Sequence, residues 1–215
     1  MSGWRLHAPV CLALTLVACA LNRPAAQPIT YVIDTPLPSA QAPAAARREP
    51  QTLRMGRVHI AAAFSGTALI YRMSDVKFTS DPYSAFIADP AAMLGDQMAT
   101  WLNYAGPFQS VAAPESTQSV SYVLEANVTE LYGDFRPGRT PEAALAIQFS
   151  LIDLSGAHPH AMLQRSLAQR VKLAAATPEA LVRGYGLALD DLLSELRGDL
   201  QLTLSSRQHA ADRTP

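Results

Sequence analysis

The sequence predicts a mixed α/β fold, a largely antiparallel sheet with two main helices over its apolar face. Three observations predict it. Apolar and polar residues alternate from Val120 to Val128, and the pattern returns through Leu145, Ile147, Phe149 and Leu151 and through Leu163, Leu167, Val171 and Leu173; a period near two marks strands buried on one side. Pro137-Gly138 and Gly156 separate these runs with turn chemistry, which makes them an antiparallel meander. Two other stretches carry apolar residues at three- and four-residue spacing, the period of a helix.

Ahead of the meander, Ile29-Thr30-Tyr31-Val32-Ile33 has strand-like residues and reads as a candidate edge strand. Leu53 to Ile60 reads as a strand, and Ala68–Arg72 with Asp75–Phe78 reads as a hairpin turning over Met73-Ser74. Asp89-Pro90 then supplies a capping carboxylate followed by proline at the first helical position. Leu94, Met98, Trp101, Leu102 and Ala105 form the stripe of that helix, Gly106-Pro107 stops it, and Phe108 to Val111 leaves as a brief strand. After the meander, Thr177-Pro178-Glu179 opens a second helix with a wide stripe through Leu181, Tyr185, Leu189, Leu192, Leu193, Leu196 and Leu200. Asp190, Asp191, Glu195 and Asp199 fall on its other faces, where charge is normally solvated.

The N-terminus has the layout of a secretory signal over residues 1–18, with Arg5 ahead of an uncharged run from Ala8 to Ala18. That run is shorter than the ~20 residues a membrane-spanning helix needs. Leu16, Val17 and Ala18 before Cys19 match a bacterial lipobox. The Cys19 sulfur would then carry a diacylglycerol and its freed amine a further chain such as palmitate; two or three chains anchor stably where one does not. Ordinary cleavage a little past the cysteine is the competing reading. Residues 19–50, rich in Ala, Pro and Gln, read as a tether with the edge strand inside it, 51–204 as one globular domain, and 205–215 as a polar disordered tail. On this division a fragment beginning near Arg48 is expected to fold.

The two cysteines are Cys11 and Cys19, and the first falls inside the signal. A mature chain therefore has no disulfide framework and no thiol nucleophile. A formal net charge of −1 without a basic cluster argues against nucleic acid as a partner. His158-Pro159-His160 is the one close histidine pair, with no third ligand type beside it, so no metal or other cofactor is expected. No serine sits in a Gly-x-Ser-x-Gly elbow. Gly184-Tyr185-Gly186 lacks the third glycine of a dinucleotide loop and falls within a helix, where small residues permit close packing. No acid–base pair emerges, and no catalytic residue is expected. One segment stands apart. Tyr71, Phe78, Tyr83 and Phe86 gather among Asp75, Asp81 and Asp89, and such aromatics either close an end of the core or mark a partner- or lipid-contact surface.

Taken in order, the lipobox Cys19, Tyr31-Val32-Ile33, Leu53-Arg54-Met55-Gly56-Arg57-Val58, Leu69-Ile70-Tyr71-Arg72, Ser80-Asp81-Pro82-Tyr83, Phe86, Pro90-Ala91-Ala92-Met93-Leu94, Trp101-Leu102 and Gly106-Pro107-Phe108 resemble the ABC-type transport auxiliary lipoproteins, relatives of the paraquat-inducible outer-membrane lipoprotein. His59-Ile60-Ala61-Ala62-Ala63 departs from the proline-containing turn of many members. The resemblance implies a three-layer α/β fold like the N-terminal domain of TolB. It also implies a non-enzymatic accessory subunit of intermembrane lipid transport, partnered by a mammalian-cell-entry domain protein with its permease and ATPase. Ala20 in place of an inner-membrane retention aspartate implies the outer membrane, with the domain facing the periplasm. A structural envelope lipoprotein that stabilises an outer-membrane assembly is the alternative.

Overall fold

Strand β6 (Tyr122–Asp134) is the spine of the sheet. Along one edge it pairs antiparallel with β7 (Glu142–Asp153), and β7 pairs antiparallel with β8 (His160–Lys172), which is the expected meander. Along its other edge β6 takes two parallel partners in succession. Its first half pairs with β2 (Glu49–Ile60) and its last two residues with β3 (Ala68–Arg72). From β2 the sheet continues to β5 (Phe108–Ala112), and from β3 to β4 (Phe78–Phe86) and then β1 (Ile29–Tyr31) at the edge. The sheet is therefore forked. Its antiparallel character lies in the long β6–β7–β8 ladders and the β3–β4 hairpin, while the pairings β1–β4, β2–β5, β2–β6 and β3–β6 are parallel. The computed structural model describes residues 27–38, 49–112, 114 and 116–211; the lipobox residues and Cys19 lie outside them.

Helices α1 (Pro90–Ala105) and α2 (Pro178–Ala211) cover one face of this sheet. A side chain at Gly95 of α1 would touch Val58, whose register partner Ala126 shares a face with Phe149, and Gly184 of α2 rests against Ala143 on that same face of β7. The indole nitrogen of Trp101 donates to Asp190 at 2.8 Å and joins the helices directly. Asp190 is thus a core-edge acceptor where the stripe pattern expects a solvated charge. The helices make a single layer on the sheet, and the mixed α/β class with two main helices is as expected. Between the layers lie Leu53, Met55, Leu94, Trp101, Phe108, Phe149 and Tyr185, all essentially without solvent contact.

Local chemistry explains the boundaries. The Asp89 carboxylate accepts from the Ala91 amide at 3.0 Å, and Pro90 opens α1 without wasting a donor. Asp75, Val76 and Lys77, expected in a strand, belong to the turn instead. The Ser74 hydroxyl accepts from the Lys77 amide at 3.1 Å and the Met73 amide donates to the Lys77 carbonyl at 2.8 Å, so these residues spend their hydrogen bonds on each other. Helix α2 runs to Ala211, past the expected start of a disordered tail at 205. Its last turns are held because Arg207 reaches the buried Asp153 carboxylate at 2.8 Å, the Ser155 hydroxyl at 2.6 Å and the Tyr122 hydroxyl.

The expected tether is also shorter than its composition indicates. Strand β1 sits at the sheet edge as anticipated, but the chain beyond it continues into the core. Ile33 is completely buried, Thr35 nearly so, and the Thr35 amide donates to Gln97 of α1 at 2.9 Å. Gly186 makes this possible, since a side chain there would strike the Asp34 carbonyl. Gly184 does the same toward the sheet, with Ala143 and Leu173 at 2.7 Å from where its side chain would begin. The Gly-Tyr-Gly motif is a packing device, as its position within a helix indicates.

Candidate functional site

The β3–β4 hairpin presents an apolar apex on a braced turn. Arg72 donates from Nε to the Ser74 carbonyl at 3.2 Å and from Nη2 to the Asp75 carbonyl at 3.1 Å. Arg136, from the loop after β6, reaches the Asp75 carboxylate at 2.5 Å and the Asp134 carboxylate at 2.7 Å. That hydrogen bond to Arg136 holds Asp134 below the ordinary carboxylate range and pushes the guanidinium the other way. At the apex Val76 is 91% exposed, flanked by the partly exposed Met73 and Phe78. Under it the rings of Phe64, Phe78 and Tyr132 pack at 5.2 to 5.9 Å, and Arg170 lies over Tyr132 while donating to its hydroxyl at 2.9 Å. A flexible turn would fold such an apolar tip back. This one is fixed outward.

Of the four aromatic residues singled out in the sequence, two pack into the core and two are exposed. Phe86 is buried beside Tyr185, and Tyr71 stacks on Phe135 at 4.9 Å with its hydroxyl donating to Asp81 at 2.6 Å. Burial, and then that hydrogen bond, raise the Tyr71 phenol well above its ordinary range. These two close the core. Phe78 and Tyr83 are exposed, Tyr83 because Asp81 accepts from the Tyr83 and Ser84 amides and bends the strand there. Sequence alone does not single out Val76, since an apolar residue at a turn apex looks like an extension of the strand.

A second feature escaped sequence reading altogether. The segment after β1 and the first turns of α2 enclose a groove of about 470 Å³, with Val32 and Pro36 on one wall and Val182 and Leu187 on the other. Its polar rim carries Tyr31, Asp34, Glu179 and Arg183. The signal was present in α2, where Val182 and Leu187 widen the apolar arc beyond the main stripe, but nothing in the sequence places residues 31–36 opposite them. Among the described residues no three His, Cys, Asp or Glu side chains gather closely enough to hold a metal, and His158 and His160 point to solvent on the β7–β8 turn. No described helix is long and apolar enough to cross a membrane.

Solved structures share this overall fold. A crystal structure of a Xanthomonas campestris protein superposes with a TM-score of 0.68 at 17% identity, covering 84% of this chain and 97% of that one. A second, of an uncharacterized protein, gives 0.60 at 13% identity over 81% of this chain and 99% of the other. At such identities the likeness is one of fold. No curated protein matches the chain. Residues 31–196 match the family described as the ABC-type transport auxiliary lipoprotein component, and the chain belongs to that family. It is thus a lipoprotein component auxiliary to an ABC-type transporter.

Proposed function

We propose that the protein is a docking subunit, without catalysis of its own, of an ABC-type system that moves lipid between membranes. Cys19 carries the lipid anchor, the anchoring membrane is the outer one, and the domain faces the periplasm. Its partner is a mammalian-cell-entry domain protein with an associated permease and ATPase. The observation that carries this reading is the braced apolar apex at Val76, in a chain whose family is auxiliary to ABC transport. An apex fixed before contact loses little entropy on binding, which suits a residue that anchors a protein interface. The exposed Phe78 flanks it on the strand, and Tyr83 stands further along β4. Anchoring contributes placement, because a domain on a short tether samples a limited volume and so keeps a high effective concentration at its partner.

Affinity purification of the tagged full-length chain from native membranes in mild detergent, with mass spectrometry of proteins and lipids, tests it. Recovery of a mammalian-cell-entry protein together with a permease and ATPase is the expected result. Reproducible recovery of only unrelated envelope proteins replaces the proposal with the structural-lipoprotein alternative.

A further inference from the structure

The groove between residues 31–36 and α2 is amphipathic along its length. Leu187 lies about 12 Å along the helix from Glu179 at 1.5 Å per residue. On the helical wall Glu179 therefore stands at one end and apolar Leu187 at the other, with Val182 and Arg183 between them. Val32 and Leu187 are about half exposed, so their apolar surface stands uncovered. A volume near 470 Å³ falls in the range of small-molecule sites and holds one chain more readily than a folded segment.

The rim narrows the chemistry of the occupant. The Tyr31 hydroxyl donates to Glu179 at 2.8 Å and closes the polar end. Asp34 stands on the facing wall. Arg183 takes no hydrogen bond or ion pair at contact distance among the described residues, and it acts on Glu179 only through space. One guanidinium with unused donors beside two carboxylates complements a head that carries both charges. An anionic head would meet two like charges, and a cationic one would leave Arg183 unmatched. The groove is also built from the first described residues after the anchor. Ten residues from Cys19 to Ile29 span at most about 36 Å, so the groove stays near the bilayer that holds the acyl chains.

We propose that this groove receives one acyl chain of a zwitterionic phospholipid, with Arg183 on the phosphate and Asp34 on the ammonium of the head group. The proposal rests on the lipid-transport reading above and names a ligand for this subunit within it.

The test uses acylated full-length protein in nanodiscs doped with a phospholipid that carries a diazirine at the end of one tail, with either an ethanolamine or a glycerol head. After irradiation, adducts are mapped by mass spectrometry. The expected result is labelling concentrated on residues 27–38 and 178–188, at least fivefold stronger with the ethanolamine lipid. Leu187→Asp lowers it at least fivefold, and Arg183→Glu abolishes the head-group preference. Both substituted positions are exposed, so circular dichroism is expected to match the parent. Labelling spread evenly over the surface, or undiminished in Leu187→Asp, overturns the proposal. Partner recovery from the same preparations is read separately. Lost labelling with partners retained assigns the lipid contact to the groove, whereas normal labelling in protein that recovers no transporter leaves the groove standing and removes the docking reading.

Discussion

The Tyr31 hydroxyl donates to the Glu179 carboxylate at 2.8 Å, joining the first strand to the first turn of the last helix across 148 positions of sequence. Two residues further on, Ile33 is fully buried. A fragment beginning at Arg48 discards both. It is expected to unfold at markedly lower urea than the chain retaining residues 27–38, and Ile33→Ala alone to cost about 2–4 kcal/mol. Equal urea midpoints for the two fragments would return residues 27–38 to the role of a tether.

Two glycines of one helix give opposite outcomes. Gly186→Ala drives a methyl group into the Asp34 carbonyl and is expected to destabilise by about 1–3 kcal/mol. Gly198 has open space around it, and Gly198→Ala is expected to stabilise by about 0.5–1 kcal/mol through helix propensity. Thermal unfolding followed at 222 nm separates the two signs.

Asp134 makes stability depend on acid. Its folded-state pKa is depressed by the hydrogen bond from Arg136, below an unfolded value near 3.9. The contribution is therefore complete above that value and is lost as the pH falls through the lower, folded one. Asp134→Asn is expected to lose about 1–3 kcal/mol at pH 7, and its deficit relative to the parent is expected to narrow at pH 3. The measurement is the urea midpoint at both values, and a variant as acid-sensitive as the parent contradicts the assignment.

Val76→Asp tests the apex. At 91% exposure the fold is expected to change by no more than about 0.5 kcal/mol, while recovery of the transporter partners falls at least tenfold. Unchanged recovery would move the docking surface elsewhere.

Arg207→Ala removes the cationic partner of the Asp153 carboxylate, which is almost fully buried and keeps only the Ser155 amide and hydroxyl as donors. The expected cost is about 1–3 kcal/mol, with faster amide exchange concentrated in residues 201–211. Exchange unchanged there would mean that the end of α2 is held by its own turns alone.

What the sequence makes legible follows the reach of its periodicities. Both helix starts could be read because Asp89-Pro90 and Thr177-Pro178 act locally, and the meander because its strands are neighbours along the chain. The fork at β6 could not, since parallel pairing of Leu53 with Tyr122 or Tyr71 with Gly133 leaves no mark at either site alone. The N-terminal segment was misjudged for a related reason. Its prolines signal a chain without regular structure, and Ile33 shows that an irregular chain is still buried when Gly186 clears a path for it. The burial of the grouped aromatics was not legible, because an aromatic on a strand looks the same whether it turns inward like Phe86 or outward like Tyr83.

The single spine also sets a timetable. Among the described strands, the β2–β5 arm and the β1–β4–β3 arm are joined only through β6, so the chain up to about residue 120 cannot close into one sheet until β6 is made. Before then the β3–β4 hairpin and α1 can form locally, and the β2–β5 and β1–β4 pairings only by closing longer loops. Non-local parallel pairing of this kind is slow to close, and the waiting half exposes the strand sequences that later become the core. A newly made chain therefore has an interval of vulnerability fixed by topology, during which a holding chaperone has the most to protect.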